Sequence, residues 1–199
     1  VNGNEKSFNF DMELWHWSDC KVNMAVTDYY YAVPGAKDTF KPLTAEQLAV
    51  RSMLARVPPK VAGALEGEKM KIVKKTGTVE LQNWKDGSDG VHMWWRDGKP
   101  DDELVLGFDV PKAGKYEVVG RFLKAVDYGI VPLSVNGEKA GQPIDLYNEG
   151  VVLSPVISLG TFELKEGENQ LSAVIIGANE KAEKKYMFGL DYLILKPVK

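Results

Sequence analysis

Two sets of side chains in this sequence have the types and spacing to do chemistry. The first is near the start. Asp11 and Glu13 stand two apart in an alternating segment, so an extended chain points both to one face. His16 follows, and Asp28 returns opposite them. Two carboxyls about 5 Å apart suit a retaining glycosidase, and about 6.5–9.5 Å an inverting one. Acidic side chains on a solvated strand face are also common, and two strands enclose no pocket. Catalysis is therefore the lesser reading of this group.

The second set is spread over later loops and pairs flat rings with acids and amides. Trp84 opens the polar stretch Lys85-Asp86-Gly87-Ser88-Asp89-Gly90. Trp94 and Trp95 are adjacent, so on a strand they face opposite sides: one into a core, the other outward or under a loop. Asp127 and Tyr128 sit in a tight turn closed by Gly129. Asp145, Tyr147 and Asn148 precede Glu149-Gly150, and Asn179 and Lys184 lie in a long turn before the last strand. Such groups bind sugars: a ring stacks on the C–H face, and carboxylates or amides pair with hydroxyls. Each also has a plainer role. Tyr128 can pack over its turn, and Asp127 and Asp145 can cap turns by hydrogen bonding.

Composition narrows the field. The net charge of -3 argues against nucleic acid, which requires a basic stripe. No apolar run approaches the ~18 residues of a membrane-spanning helix. The single cysteine, Cys20, excludes an internal disulfide and any paired-cysteine metal site, and reads as a small half-buried residue. His92, before two tryptophans, reads as structural. There is no P-loop, dinucleotide fingerprint, nucleophile elbow or zincin motif. The chain begins at Val1, not Met, which is compatible with an extracytoplasmic location (periplasmic, cell-surface or secreted).

The elements that would position these groups are short strands. Residues 1–35 read as a β-hairpin, too small and aromatic to stand alone. Residues 36–65 read as a linker. Within it a capping box at Thr44 and Gln47 starts one short helix, and Pro58-Pro59 ends it. From Glu66 to the end the rhythm is strand and turn. Leu104, Leu106, Phe108 and Val110 alternate cleanly, as do Tyr116, Val118 and Phe122. Asn136-Gly137 after Val131–Val135 is a strong hairpin signal, because both residues tolerate positive φ. Further strands are expected at 162–164, 170–176 and 188–195. The expected fold is all-β, an antiparallel β-sandwich of jelly-roll type over 66–199.

Residues 77–197 resemble the C-terminal β-sandwich of glycoside hydrolase family 172. The resemblance is carried by Met93-Trp94-Trp95, Ala113-Gly114-Lys115-Tyr116, Asp127-Tyr128-Gly129-Ile130-Val131, Pro143-Ile144-Asp145-Leu146-Tyr147 and Phe188-Gly189-Leu190-Asp191-Tyr192. The stretch Phe10 to Trp17, with Thr27-Asp28-Tyr29-Tyr30-Tyr31 and Pro34-Gly35-Ala36, is similar to the closing strands of that family's catalytic jelly roll. The module also resembles galactose-binding-like sandwiches such as carbohydrate-binding module families 6 and 35. The resemblance implies a non-catalytic accessory module that holds a polysaccharide or oligosaccharide, and the residues whose chemistry could do so are Trp84, Trp94, Trp95, Asp127, Tyr128, Asp145, Tyr147 and Asn148. It implies no cofactor beyond a structural calcium shared by a first-strand and a last-strand carboxylate, for which Glu80 and Asp191 are the candidates. Two alternatives stand beside it. One is a sandwich that braces a catalytic jelly roll, forming a homo-oligomer through the hairpin. The other is a glycosidase with a site shared between subunits.

Overall fold

The computed structural model describes Pro34, Gly35, Thr44 and residues 58–198. The chain divides into two units, Val1–Ala55 and Arg56–Lys199, and the described strands all belong to the second. The expected hairpin and linking helix, with Asp11, Glu13, His16, Cys20 and Asp28, lie outside the described residues.

The second unit is two antiparallel sheets packed face to face, as the alternating pattern requires. The first sheet holds β3 (Thr78–Asn83), β4 (Val91–Arg96), β6 (Gly114–Lys124), β10 (Ile157–Leu164) and β12 (Phe188–Pro197), in the order β10-β6-β12-β4-β3. Two short strands lengthen it: β1 (Ala64–Glu66) pairs with β12, and β9 (Val152–Leu153) with β6. The second sheet is β2 (Lys71–Lys75), β5 (Glu103–Val110), β11 (Gly167–Val174), β7 (Ile130–Val135) and β8 (Glu138–Asp145), in the order β2-β5-β11-β7-β8.

The core lies between the sheets and follows the period-2 pattern. Leu104, Leu106, Phe108 and Val110 are buried from β5, and Val131, Leu133 and Val135 from β7. From the first sheet come Met93, Trp95, Val118, Phe122, Phe188 and Leu190. Trp95 meets Phe188 edge to face at 6.4 Å, a favourable arrangement of ring quadrupoles. Each such side chain contributes about 1.5–3 kcal/mol by leaving water. Asn136 and Gly137 have φ 51 and 83 and join β7 to β8, as the hairpin signal predicts.

One buried amide ties the β7–β8 and β10–β11 turns together at one end of the sandwich. Asn169 is fully buried. It donates to the carbonyls of Lys165 and Gly167, and its oxygen accepts from Lys165 N and Asn136 Nδ2. Asn169→Leu leaves four polar partners short. It is expected to destabilise the unit by about 3 kcal/mol, read as a lower urea midpoint at constant slope.

Candidate functional site: a three-loop rim and a buried carboxylate cluster

Five of the eight expected ligand-binding residues meet at one end of the sandwich. Three segments form this rim: residues 124–130 after β6, 145–152 after β8, and 175–187 before β12. Antiparallel strands return their ends to the same edge, and backbone hydrogen bonds then weld the segments. Ala125 N donates to Leu146 O, Asn148 N to Ala125 O, and Leu146 N to Gly129 O. On the other flank Glu183 N donates to Val126 O, Met187 N to Asp127 O, and Gly129 N to Met187 O. Segment 124–130 therefore lies between the other two. Its Ala125 is bridged to Tyr147 and its Tyr128 to Met187.

Within the rim the five residues divide into two roles. Tyr147 and Asn148 are half-buried, and Asp127 keeps a quarter of its side chain exposed with Lys185 Nζ 3.9 Å away. These can meet a ligand. Asp145 already accepts Tyr147 N at 2.9 Å and Asn179 Nδ2 at 2.6 Å, so it ties two segments together. Its turn-capping role holds, and it positions Tyr147 and Asn179 rather than standing free. Tyr128 is only 3% exposed, with burial holding its hydroxyl well above the ordinary tyrosine range. A stacking platform must offer a face to solvent, so Tyr128 is corrected to a packing residue beneath the rim.

The three tryptophans are not part of the rim segments. Trp95 is fully buried, and its indole N–H donates to Thr76 O at 2.6 Å. It is a core residue and no ligand contact. Trp94 faces the other side of β4, as adjacency requires, with the Arg96 guanidinium 5.5 Å above its ring. Trp84 opens the loop at the far end of the β3–β4 hairpin. There Asn83 faces Val91, whereas Thr78 faces Arg96 at the rim end. Half-buried Trp84 packs against the core. One ring in a loop and one beside the rim segments make no common platform.

The metal expectation also changes. Glu80 is engaged by Arg96, whose Nε and Nη2 donate to its two oxygens at 3.0 and 2.9 Å. That bidentate pairing holds its carboxyl below the usual range. Asp191 instead groups with two acids that sequence reasoning missed, Glu66 and Glu68. All three are largely buried, with side-chain exposures of 0% for Glu66 and 7% for Glu68. Ser88 links two of them: its Oγ donates to Glu66 Oε1 and its N–H to Asp191 Oδ1, each at 2.9 Å. One oxygen of each acid is left buried with no partner: Glu66 Oε2, Glu68 Oε2 and Asp191 Oδ2. Burial pushes the Asp191 carboxyl up to about 6 and raises that of Glu68.

Gly67 allows two acids to flank one position at this depth. A methyl there would run into the Leu190 carbonyl of β12. Gly67→Ala is expected to cost about 3 kcal/mol, measured as a lower thermal midpoint with the sheet signature retained in circular dichroism. Among the described residues, no three His, Cys, Asp or Glu side chains are gathered closely enough to hold a metal as they stand. The three unpaired oxygens are nonetheless the donor type that calcium takes. Glu66 and Glu68 were legible only as two acids around a glycine. Nothing local marks them as buried.

Tyr186 was also missed. It lies in the last rim segment with φ 55, a left-handed conformation that costs an L-residue about 1–2 kcal/mol. Its ring is half-buried against the core.

No family profile matches the chain, and no curated protein does. Among solved structures, a Paenibacillus xanthan lyase is similar over 72% of this chain, at 25% identity and a TM-score of 0.63. The match occupies 14% of that lyase, so this chain corresponds to a small part of a much larger protein. A family 35 carbohydrate-binding module from Clostridium thermocellum is 21% identical over 68% of this chain and 99% of its own, with a TM-score of 0.44. A Podospora anserina mannanase carrying a family 35 module is 15% identical over 68% of this chain and 27% of its own, with a TM-score of 0.46. The class these findings define is an antiparallel all-β sandwich of jelly-roll type.

Proposed function

We propose that residues 58–198 form a carbohydrate-binding accessory module of a larger, extracytoplasmic polysaccharide-acting protein, and that its binding site is the three-loop rim. The observation that carries this is the welded rim. It sets Asp127, Tyr147 and Asn148 side by side on segments fixed by backbone hydrogen bonds, so the groups are held in place before any ligand arrives. The xanthan lyase likeness supports an accessory role, because the matched part is a minor share of a polysaccharide-acting enzyme. Membership of glycoside hydrolase family 172 is part of the same proposal and rests on the quoted residues 77–197.

The ligand is a single glycan chain or chain end. Binding a crystalline polysaccharide face takes a row of exposed rings. Among the described residues the most exposed large apolar side chains are all aliphatic. Glu66, Glu68 and Asp191 serve a different purpose under this proposal. They draw together on a structural calcium, which fixes β1 and the 84–90 loop against β12.

The test is affinity electrophoresis of the full chain through gels containing xanthan, galactomannan or β-1,3-galactan, with calorimetry on matching oligosaccharides. Wild type is expected to be retarded by at least one, and Tyr147→Ala to weaken binding about tenfold with its thermal midpoint kept. Unretarded wild type across the series, or full binding by Tyr147→Ala, would overturn the rim as the site.

A bracing role has one observation behind it. The side formed by β2 and β3 is exposed, with Leu81 63% and Ile72 42% accessible. Light scattering of the full chain, with Leu81→Lys as control, decides whether that side joins copies.

A further inference from the structure

We propose that Tyr186 is a stacking ring of the rim, paired with Tyr147 across the Asp127 segment, and that its unusual backbone serves to present it. This deepens the reading of the rim as the glycan site and rests on it.

Backbone conformation is the first argument. Among the described residues five non-glycine positions have positive φ: Asp89, Asp97, Asp101, Asn136 and Tyr186. Asp and Asn adopt this region readily, because a short polar side chain can bond locally. A tyrosine gains nothing of that kind. If the turn alone mattered, Gly or Asn would serve with less strain, so the ring supplies more than the turn: part of it packs against the core and part stays accessible.

The surroundings hold that conformation firmly. Lys185 N donates to Glu183 O at 2.7 Å on one side. On the other, Met187 N donates to Asp127 O at 3.1 Å and Met187 O accepts Gly129 N at 2.9 Å. Gly129 lies directly beneath: a Cβ built on it would sit 3.5 Å from the Tyr186 Cα. The tighter neighbour of that Cβ is the Gly177 carbonyl, at 3.2 Å, while the contact with Tyr186 is an ordinary van der Waals one. Strain kept in place by its neighbours marks functional positions more often than idle ones.

Placement is the second argument. The Asp127 segment is flanked by Tyr147, bridged to Ala125, and by Met187, bridged to Tyr128. Tyr186 immediately precedes Met187. The two tyrosines thus stand on segments that flank the Asp127 turn on opposite sides. Both rings are half-buried, which keeps a face or edge accessible while packing fixes the rest. Among the described residues no hydrogen bond engages either hydroxyl. A ring on each flank and a carboxylate on the segment between them are the groups a pyranose takes, rings for its C–H faces and an acid for its hydroxyls.

The experiment separates this proposal from the rim reading beneath it. Tyr186→Asn keeps a residue that accepts positive φ and removes the ring. Tyr186→Phe keeps the ring and removes the hydroxyl. Calorimetry uses mannohexaose, β-1,3-galactotriose, isomaltoheptaose and xanthan-derived oligosaccharide as probes, with circular dichroism confirming the fold. Tyr186→Asn is expected to weaken binding about tenfold, and Tyr186→Phe less than about threefold. Should the asparagine variant fail to fold, Tyr186→Gly takes its place.

Undiminished binding by Tyr186→Asn, with Tyr147→Ala weakened, overturns the role of Tyr186 and leaves the rim standing. Equal losses in Tyr186→Phe and Tyr186→Asn overturn stacking in favour of a hydroxyl contact. No binding of any probe by wild type, or no loss in either tyrosine, overturns both.

Discussion

Calcium chloride added to the metal-free chain at pH 7 is expected to raise its thermal midpoint by roughly 5–10 °C, and chelation to reverse it. A ligand at a hundred times its dissociation constant stabilises the folded state by about 2.7 kcal/mol, and a chain of this size gains about 2–4 °C per kcal/mol. The cause is the group Glu66, Glu68 and Asp191. Three buried carboxylates repel one another, and each keeps one oxygen without a partner. The nearest lysines are half-exposed and off ideal distance, with Lys60 3.8 Å from Glu66 and Lys69 3.7 Å from Glu68. A divalent ion neutralises the repulsion and fills the empty lone pairs. Magnesium should act more weakly, since it releases its water reluctantly. Asp191→Asn keeps the acceptor for Ser88 N but loses the charge, so the calcium response should shrink to near nothing. A wild type indifferent to calcium, or an unchanged response in Asp191→Asn, would rule the site out.

The second large effect is a loss of stability on the acid side, produced by His92. This imidazole is fully buried, and neither ring nitrogen has a partner. Burial pushes it down to about 4 from an ordinary 6.5. Between those values the unfolded chain takes up a proton that the folded chain refuses. Stability from His92 is therefore intact above about pH 6.5 and is lost as pH falls toward 4. The loss totals about 3 kcal/mol, after which both states are protonated and the trend stops.

Asp191 runs the other way. Its folded carboxyl is raised to about 6, so its contribution is fully present below about pH 4 and is lost as pH rises through 6. The two slopes oppose each other in the same window, and wild type alone will show a muted curve. Asp191→Asn removes the opposing slope and should reveal the full His92 loss in urea titrations between pH 7 and 4. Adding His92→Leu should flatten that curve. An equally steep curve in the double variant would trace the acid loss to another group.

Much of the fold could be read from residue order, because its cause is local. Leu104 to Val110 alternate, and a strand buried on one face has no other way to be arranged. Asn136-Gly137 named its own hairpin through two tolerated positive φ angles. Adjacency alone determined that Trp94 and Trp95 must part company. The rim was half legible: Asp127, Tyr147 and Asn148 were picked as loop residues with sugar-binding chemistry, and strand return then placed them together.

The remainder depended on contacts between distant residues. Which of two tryptophans enters the core depends on which face the second sheet covers. Glu80 and Glu66 look alike in a row of letters. Arg96 on the neighbouring strand engages one, while Ser88 and Asp191, 22 and 125 positions away in the chain, surround the other. Tyr128 and Tyr186 differ likewise, since burial of the first and the left-handed backbone of the second come from three loops meeting. Periodicity and turn chemistry act over a few residues, so the sequence alone determined the strands and turns. Burial, charge pairing and backbone strain act across the fold, so only the tertiary structure decided which acids and rings are exposed and which are already engaged.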